Sequence, residues 1–245
     1  DCMDLDVGFY DNPSDQRYIQ NIAEALFRRA ALVVCSSQYL ETNVKARHSG
    51  AKTLVLRNGV QQAWLEHRAQ ALQNSTSPTR LGYFGTIAPW FDWDLMLRVL
   101  EQSPDLQLEL IGPNHTRTVQ HPRVKYHGVI AHTELQQRVQ HLDGFVMPFV
   151  RSPLIEGVDP VKLYEYLSLG KEVFAVSYPE ISRFAPFVHL YNSEQHLFDL
   201  LTAWQEGTLV PRNTQPQAFL LENTWEARVR VLSEAIGQLI QDTLR

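Results

Sequence analysis

Lys162 and Glu165 are the two residues whose type and spacing most directly suggest chemistry. Both fall in residues 158–171, which read V-D-P-V-K-L-Y-E-Y-L-S-L-G-K. Asp159 is placed to act as an N-cap, and Pro160 suits the first helical position, where a missing N–H does no harm. Gly170 is a natural stop, so the stretch predicts one short helix. Lys162 then sits in the first turn, where the helix dipole disfavours a cation. That placement makes sense if an anion shares the helix start, because the free N–H groups there bind phosphate. Glu165 stands at i+3 from Lys162 and shares its face. A carboxylate there could accept both hydroxyls of a ribose whose phosphates rest on the helix start. The alternative is an exposed Lys–Glu pair on a solvated helix.

Further candidates lie at predicted strand ends. Gly85 and Thr86 close the run Leu81-Gly82-Tyr83-Phe84 without G-x-G-x-x-G spacing, so a dinucleotide fingerprint is absent. Gly85 still allows a phosphate to approach the backbone closely, although a plain strand-end turn would look the same. Gly128 and Val129, with Ile130, could offer backbone groups to a nucleobase edge or simply form a turn. Arg151 follows Met147-Pro148-Phe149 and could bind a pyrophosphate, or be an ordinary surface arginine. Asp4, with Asp6, follows a strand end, where a carboxylate facing a cleft can orient an acceptor hydroxyl; loop solvation or helix capping is the other reading. Trp93 reads as core. The nine histidines show no H-E-x-x-H or other ligand spacing, which predicts no protein-bound metal. There is no G-x-S-x-G and no recognisable Cys–His pairing.

The elements that must position these residues alternate. Helical periodicity over residues 16–31 is followed by an apolar strand at 32–37, a helix at 38–48 and a strand at 53–56. A polar, proline-containing run at 73–79 suggests a linker. A second series follows, with strands at 81–85, 106–111, 124–129, 144–149 and 172–176. Helices are predicted at 93–102 and 133–142, a loop at 151–158, and helices at 193–206 and 224–244. This is the rhythm of parallel α/β sheets, in which ligands bind at the carboxyl ends of strands.

The totals narrow the class. The chain has 245 residues, 44% hydrophobic, with a net charge of −5, which gives no electrostatic case for nucleic-acid binding. Two cysteines are too few for a disulfide framework and point to a reducing compartment. No apolar run reaches the length of a membrane span, which suggests a cytoplasmic protein and leaves a peripheral role at the inner face of a membrane open. The start, Asp1-Cys2-Met3-Asp4, has no initiator Met and reads like a strand met midway, so upstream sequence is expected.

The run Asp159-Pro160-Val161-Lys162-Leu163-Tyr164-Glu165-Tyr166-Leu167-Ser168-Leu169-Gly170-Lys171 resembles the donor-binding helix of GT-B glycosyltransferases, most closely the bacterial family-4-type enzymes that build surface polysaccharides. Supporting matches keep family order: Asp1-Cys2-Met3-Asp4, Arg57-Asn58-Gly59-Val60, Gly82-Tyr83-Phe84-Gly85-Thr86-Ile87, Asp92-Trp93-Asp94-Leu95, Ile111-Gly112-Pro113, His127-Gly128 and Met147-Pro148-Phe149.

The resemblance implies two Rossmann-like domains with parallel sheets, the first only partly present. Residues 1–64 would be the later half of the acceptor-side domain, 65–80 the linker, 81–222 the nucleotide-sugar-binding domain, and 223–245 a helix crossing back. It implies that Glu165 binds the ribose hydroxyls, Lys162 lies near the phosphates and the segment after Gly128 holds the base. Gly157, Val158 and Asp159 would line the donor site; the family carries an acid where Gly157 stands, and Glu156 is its neighbour. Lys171 is followed by Glu172 rather than the family's proline. The activity implied is transfer of a sugar from a nucleotide-diphosphate-sugar to a saccharide or lipid-linked acceptor, with retention and without metal or other cofactor. A nucleotide-sugar epimerase of the same fold and a non-catalytic sugar-nucleotide-binding subunit are the alternatives.

Overall fold

The computed structural model describes residues 1–66, 79–212, 214 and 216–244. A small parallel unit comes first. Helix α1 (Pro13–Arg29) starts at Asn12, whose side-chain oxygen accepts from the Ser14 N–H, with Pro13 at the first helical position. Strand β1 (Val33–Cys35) leads through Ser37, the N-cap of α2 (Gln38–Arg47), to β2 (Thr53–Val55), which pairs with β1 in parallel. Phe27, Val33, Cys35, Leu40 and Val44 form its core. A short helix, α3 (Gln62–Glu66), follows. The linker expected at 65–80 lies mostly outside the described residues.

The second series runs β3 (Thr79–Phe84), α4 (Trp93–Gln102), β4 (Leu106–Ile111), β5 (Val124–Tyr126), α5 (His132–Arg138), β6 (Gly144–Met147), α6 (Pro153–Glu156), α7 (Val161–Ser168), β7 (Glu172–Val176), β8 (His189–Tyr191), α8 (Glu194–Gln205), α9 (Gln217–Glu222) and α10 (Trp225–Thr243). Its strands form one all-parallel sheet in the order β5-β4-β3-β6-β7-β8. Helices cover both faces of such sheets, which is why β6 and β7 are apolar runs and almost fully buried. Numbered from β3, the order is 3-2-1-4-5-6, so the winding reverses between β3 and β6. A crevice opens at the carboxyl ends of those two strands, beside Gly85 and Phe149.

Three local features differ from the sequence reading. Helix α7 has Pro160, not Asp159, at its N-cap, because the Asp159 carboxylate is used elsewhere. The expected loop at 151–158 contains α6, started by Ser152 and Pro153. Strand β8 and helix α9 are too short to show periodicity. The start of α10 lies against the first unit: the Trp225 N–H donates to the Val60 carbonyl at 3.0 Å, and Arg228 Nε donates to the Asn58 carbonyl at 3.2 Å. Among the described residues no helix is long and apolar enough to cross a membrane.

Candidate functional site

The crevice is organised by Gly85 and Lys162. Gly85 follows β3 directly with φ +133°, a conformation that glycine adopts freely. Its N–H donates to the Ile111 carbonyl at 2.8 Å. The Lys162 side chain lies directly over it, so close that a Cβ at position 85 would collide with Lys162 Cε. Lys162 Nζ is 5.9 Å from the ring centroids of both Tyr83 and Phe149, and among the described residues it makes no ion pair. Burial pushes its pKa down, while the charge of Glu165 pulls it up. A partly desolvated ammonium held against aromatic faces beside a bare backbone is suited to receive an anion. The N–H groups of Val161 and Lys162 open α7 beside it, while the Leu163 N–H donates to the Pro160 carbonyl at 3.1 Å.

The neighbouring strand ends extend this surface. A Cβ on Gly112 would strike the Gly85 carbonyl, and the Gly112 N–H donates to the Gly128 carbonyl at 2.7 Å. Gly85, Gly112 and Gly128 thus form one layer across β3, β4 and β5. Next to it, the Thr86 carbonyl accepts from the Tyr83 hydroxyl at 2.8 Å. Val129 is 74% exposed and lines a cavity of about 590 Å³ with Ile111, His127, Ile130 and Ala131.

Glu165 Oε1 pairs with His132 Nε2 at 2.8 Å, and its side chain is mostly buried. Burial pushes its pKa up, against the opposing pull of His132 and Lys162. His132 opens α5 immediately after residues 128–131, so this bond ties Glu165 to the segment that follows Gly128. The His132 ring stacks on Trp64 at 5.1 Å, which ties α3 to the same place. Neither His132 nor Trp64 is singled out by the sequence. Their neighbours in the chain carry no signal of this stack, which joins distant elements.

Asp4 lines a cleft of about 260 Å³ together with Met3, Phe9, Asn58 and Lys162. Partial burial raises its pKa. Arg151 is not part of that cleft. Its Nε at 2.9 Å and Nη2 at 2.5 Å both donate to one Glu156 oxygen, Oε1, and it lines a different groove with Arg98 and Ser193. Reaching the Lys162 cleft would require that ion pair to open. Gly157 ends α6, and a Cβ there would meet Tyr39 Cδ1 at 3.1 Å and Leu40 Cδ2 at 3.4 Å, so α2 crowds the point from which an acidic side chain would start. The Val158 carbonyl accepts from the Tyr178 hydroxyl at 3.2 Å. Asp159 faces inward: its Oδ2 accepts from the Asn58 N–H at 2.7 Å and the Tyr164 hydroxyl at 2.9 Å, and its Oδ1 pairs with Arg183. These contacts hold the first unit against the start of α7, where Val158 and Asp159 line the cleft shared by Asp4 and Lys162.

The arrangement of this sheet and crevice recurs in solved structures. The sucrose-phosphate synthase of Thermosynechococcus elongatus superposes with a TM-score of 0.70 at 15% identity, over 95% of this chain and 65% of that one. Anabaena Alr3699/HepE, solved in complex with UDP and glucose, superposes with a TM-score of 0.68 at 17% identity, over 92% of this chain and 68% of that one. The fold is that of GT-B glycosyltransferases. Within this GT-B fold the Lys162–Gly85 contact sits on the six-stranded sheet. In sequence the chain is similar to a Bacillus subtilis protein named "Putative teichuronic acid biosynthesis glycosyltransferase TuaH", at 26% identity over 226 residues. That match covers 84% of this chain and 57% of the relative's length. No protein-family model matches the chain.

Proposed function

We propose that this chain carries the donor site of a glycosyltransferase that moves a sugar from a nucleotide-diphosphate-sugar to a saccharide or lipid-linked acceptor. The observation that carries the reading is the Lys162 ammonium, which has no ion-pair partner among the described residues and is pressed onto Gly85 where the sheet's winding reverses. Negative charge builds on the departing diphosphate in the transition state. Lys162 and the first-turn N–H groups of α7 are fixed beforehand where that charge develops, so they stabilise it with little reorganisation. Glu165 accepts the ribose hydroxyls, and the exposed backbone at Gly128 and Val129 meets the base. Asp4, across the cleft from α7, orients the acceptor hydroxyl. Arg151 joins only if it leaves Glu156. The sugar nucleotides bound to Alr3699/HepE and the name of the Bacillus subtilis relative support this class of donor.

The step takes place with retention at the anomeric carbon and without a metal on the diphosphate, as the family resemblance implies. A lipid-linked acceptor would place the protein in the cytoplasm, at the inner face of the membrane. The experiment is isothermal calorimetry of nucleoside diphosphates with wild type, Lys162→Ala and Glu165→Ala. Both substitutions are expected to weaken binding with the fold intact. Unchanged affinity in both would remove the site, and conversion of a donor to its epimer without acceptor would replace the reaction.

A further inference from the structure

Strand β4 buries a carboxylate in a layer that is otherwise apolar. Glu109 is only 2% exposed, between Leu108 and Leu110. A buried carboxylate needs partners. Its Oε2 has two, His127 Nε2 at 2.5 Å and His141 Nε2 at 2.9 Å. These side chains come from three places: the middle of β4, the residue after β5 and the turn after α5. Their candidate ligand atoms all lie within 4.8 Å of one another. Burial alone would raise the pKa of Glu109, but the hydrogen bonds from His141 and His127 outweigh it and hold the carboxyl below its ordinary value.

We propose that Glu109, His127 and His141 form a binding site for a divalent transition metal of the zinc class. Two imidazole nitrogens and one carboxylate oxygen suit Zn²⁺ and its first-row neighbours, whereas Mg²⁺ and Ca²⁺ prefer oxygen alone. Bonds of about 2.0–2.1 Å in a tetrahedral site separate ligand atoms by roughly 3.3 Å. The present Glu–His separations are shorter, so an ion enters by a small outward movement of the imidazoles. His141 can give way, since its side chain is 41% exposed. A fourth position would open towards the cavity that His127 and His141 line with Val129 and Ile130. The ion would tie β4 to the end of β5 and to the turn after α5, and takes no part in the chemistry at Lys162. Because the proposal rests only on these three side chains, it stands or falls separately from the donor reading.

The test uses the whole chain, dialysed against a chelator and titrated with Co²⁺ and then Zn²⁺. The expected result is saturable binding of a single ion, with the visible ligand-field absorption of Co²⁺ in a nitrogen–oxygen site and a raised melting temperature. His141→Ala is expected to lower the affinity at least about 100-fold, the upper end of what loss of an outer-shell partner costs, with circular dichroism unchanged. His196→Ala, at an exposed histidine on α8, should leave affinity as it was. Absence of saturable binding, or binding of equal strength in His141→Ala and Glu109→Gln, would show that the two imidazoles serve only to satisfy the buried carboxylate.

Discussion

The side chain of Lys162 lies across the Cα of Gly85, so the helix that carries the amine and the strand end beneath it are fitted to each other. Position 85 also has φ +133°, where a side chain is strained whatever the space. Gly85→Ala is therefore expected to destabilise the fold by about 1–3 kcal/mol and to weaken nucleoside-diphosphate binding by displacing the amine. Removing the amine as well should return part of the loss. In urea denaturation the Gly85→Ala/Lys162→Ala pair should be coupled by about 0.5–3 kcal/mol. Simple additivity would mean that the two groups do not meet.

Burial lowers the pKa of Lys162 from the 10.5 of an ordinary lysine, and this has two opposite consequences. The ammonium is the form that attracts diphosphate. Affinity should thus fall as pH rises through the lowered pKa, earlier than for an exposed lysine. Stability should move the other way. Between the lowered folded pKa and the ordinary unfolded one, the unfolded chain binds more protons, so raising the pH through that window stabilises the fold. Calorimetry and melting curves over the alkaline range measure both, and Lys162→Met should flatten both. An affinity that stays level across that range would take Lys162 out of the diphosphate contact.

Glu165→Ala should weaken nucleoside-diphosphate binding by on the order of 1.5–3 kcal/mol through lost charge-assisted hydrogen bonds. The ribose assignment makes a narrower claim. A 2′-deoxynucleoside diphosphate should bind wild type less well than its ribo counterpart, and the difference should nearly vanish in Glu165→Ala. Since burial raises the pKa of Glu165, the preference for ribose should also decline as pH falls through that raised value, where the carboxylate is lost. A ribo-to-deoxy difference that survives in the variant would place the sugar elsewhere.

Asp159→Ala leaves Arg183 without its carboxylate and the Asn58 N–H without its acceptor. Stranding a buried charge typically costs about 3–5 kcal/mol, and that is the loss expected from denaturant midpoints. Asp159→Asn, which keeps an acceptor, should lose less. A change as small as that of an exposed substitution would show that this contact does not hold the first unit to α7.

The sequence by itself determined the alternation of strands and helices, the turn glycines at 85 and 128, and the shared face of Lys162 and Glu165. Each follows from spacing within a few residues, where the period of a strand or helix dictates neighbours. Only the tertiary structure decided which strand ends lie together. The reversal between β3 and β6 puts Gly85 under Lys162, while Arg151 is held by Glu156 five residues on, in a neighbouring groove. Asp159 had the chemistry of an N-cap, but a half-buried arginine and an amide from the first unit hold its carboxylate instead. His127 and His141 show no metal spacing along the chain, because they meet Glu109 across 18 and 32 residues through the pairing of β4 with β5 and the return of α5. Local periodicity carries no information about such contacts; they exist only once the sheet order has closed the intervening loops.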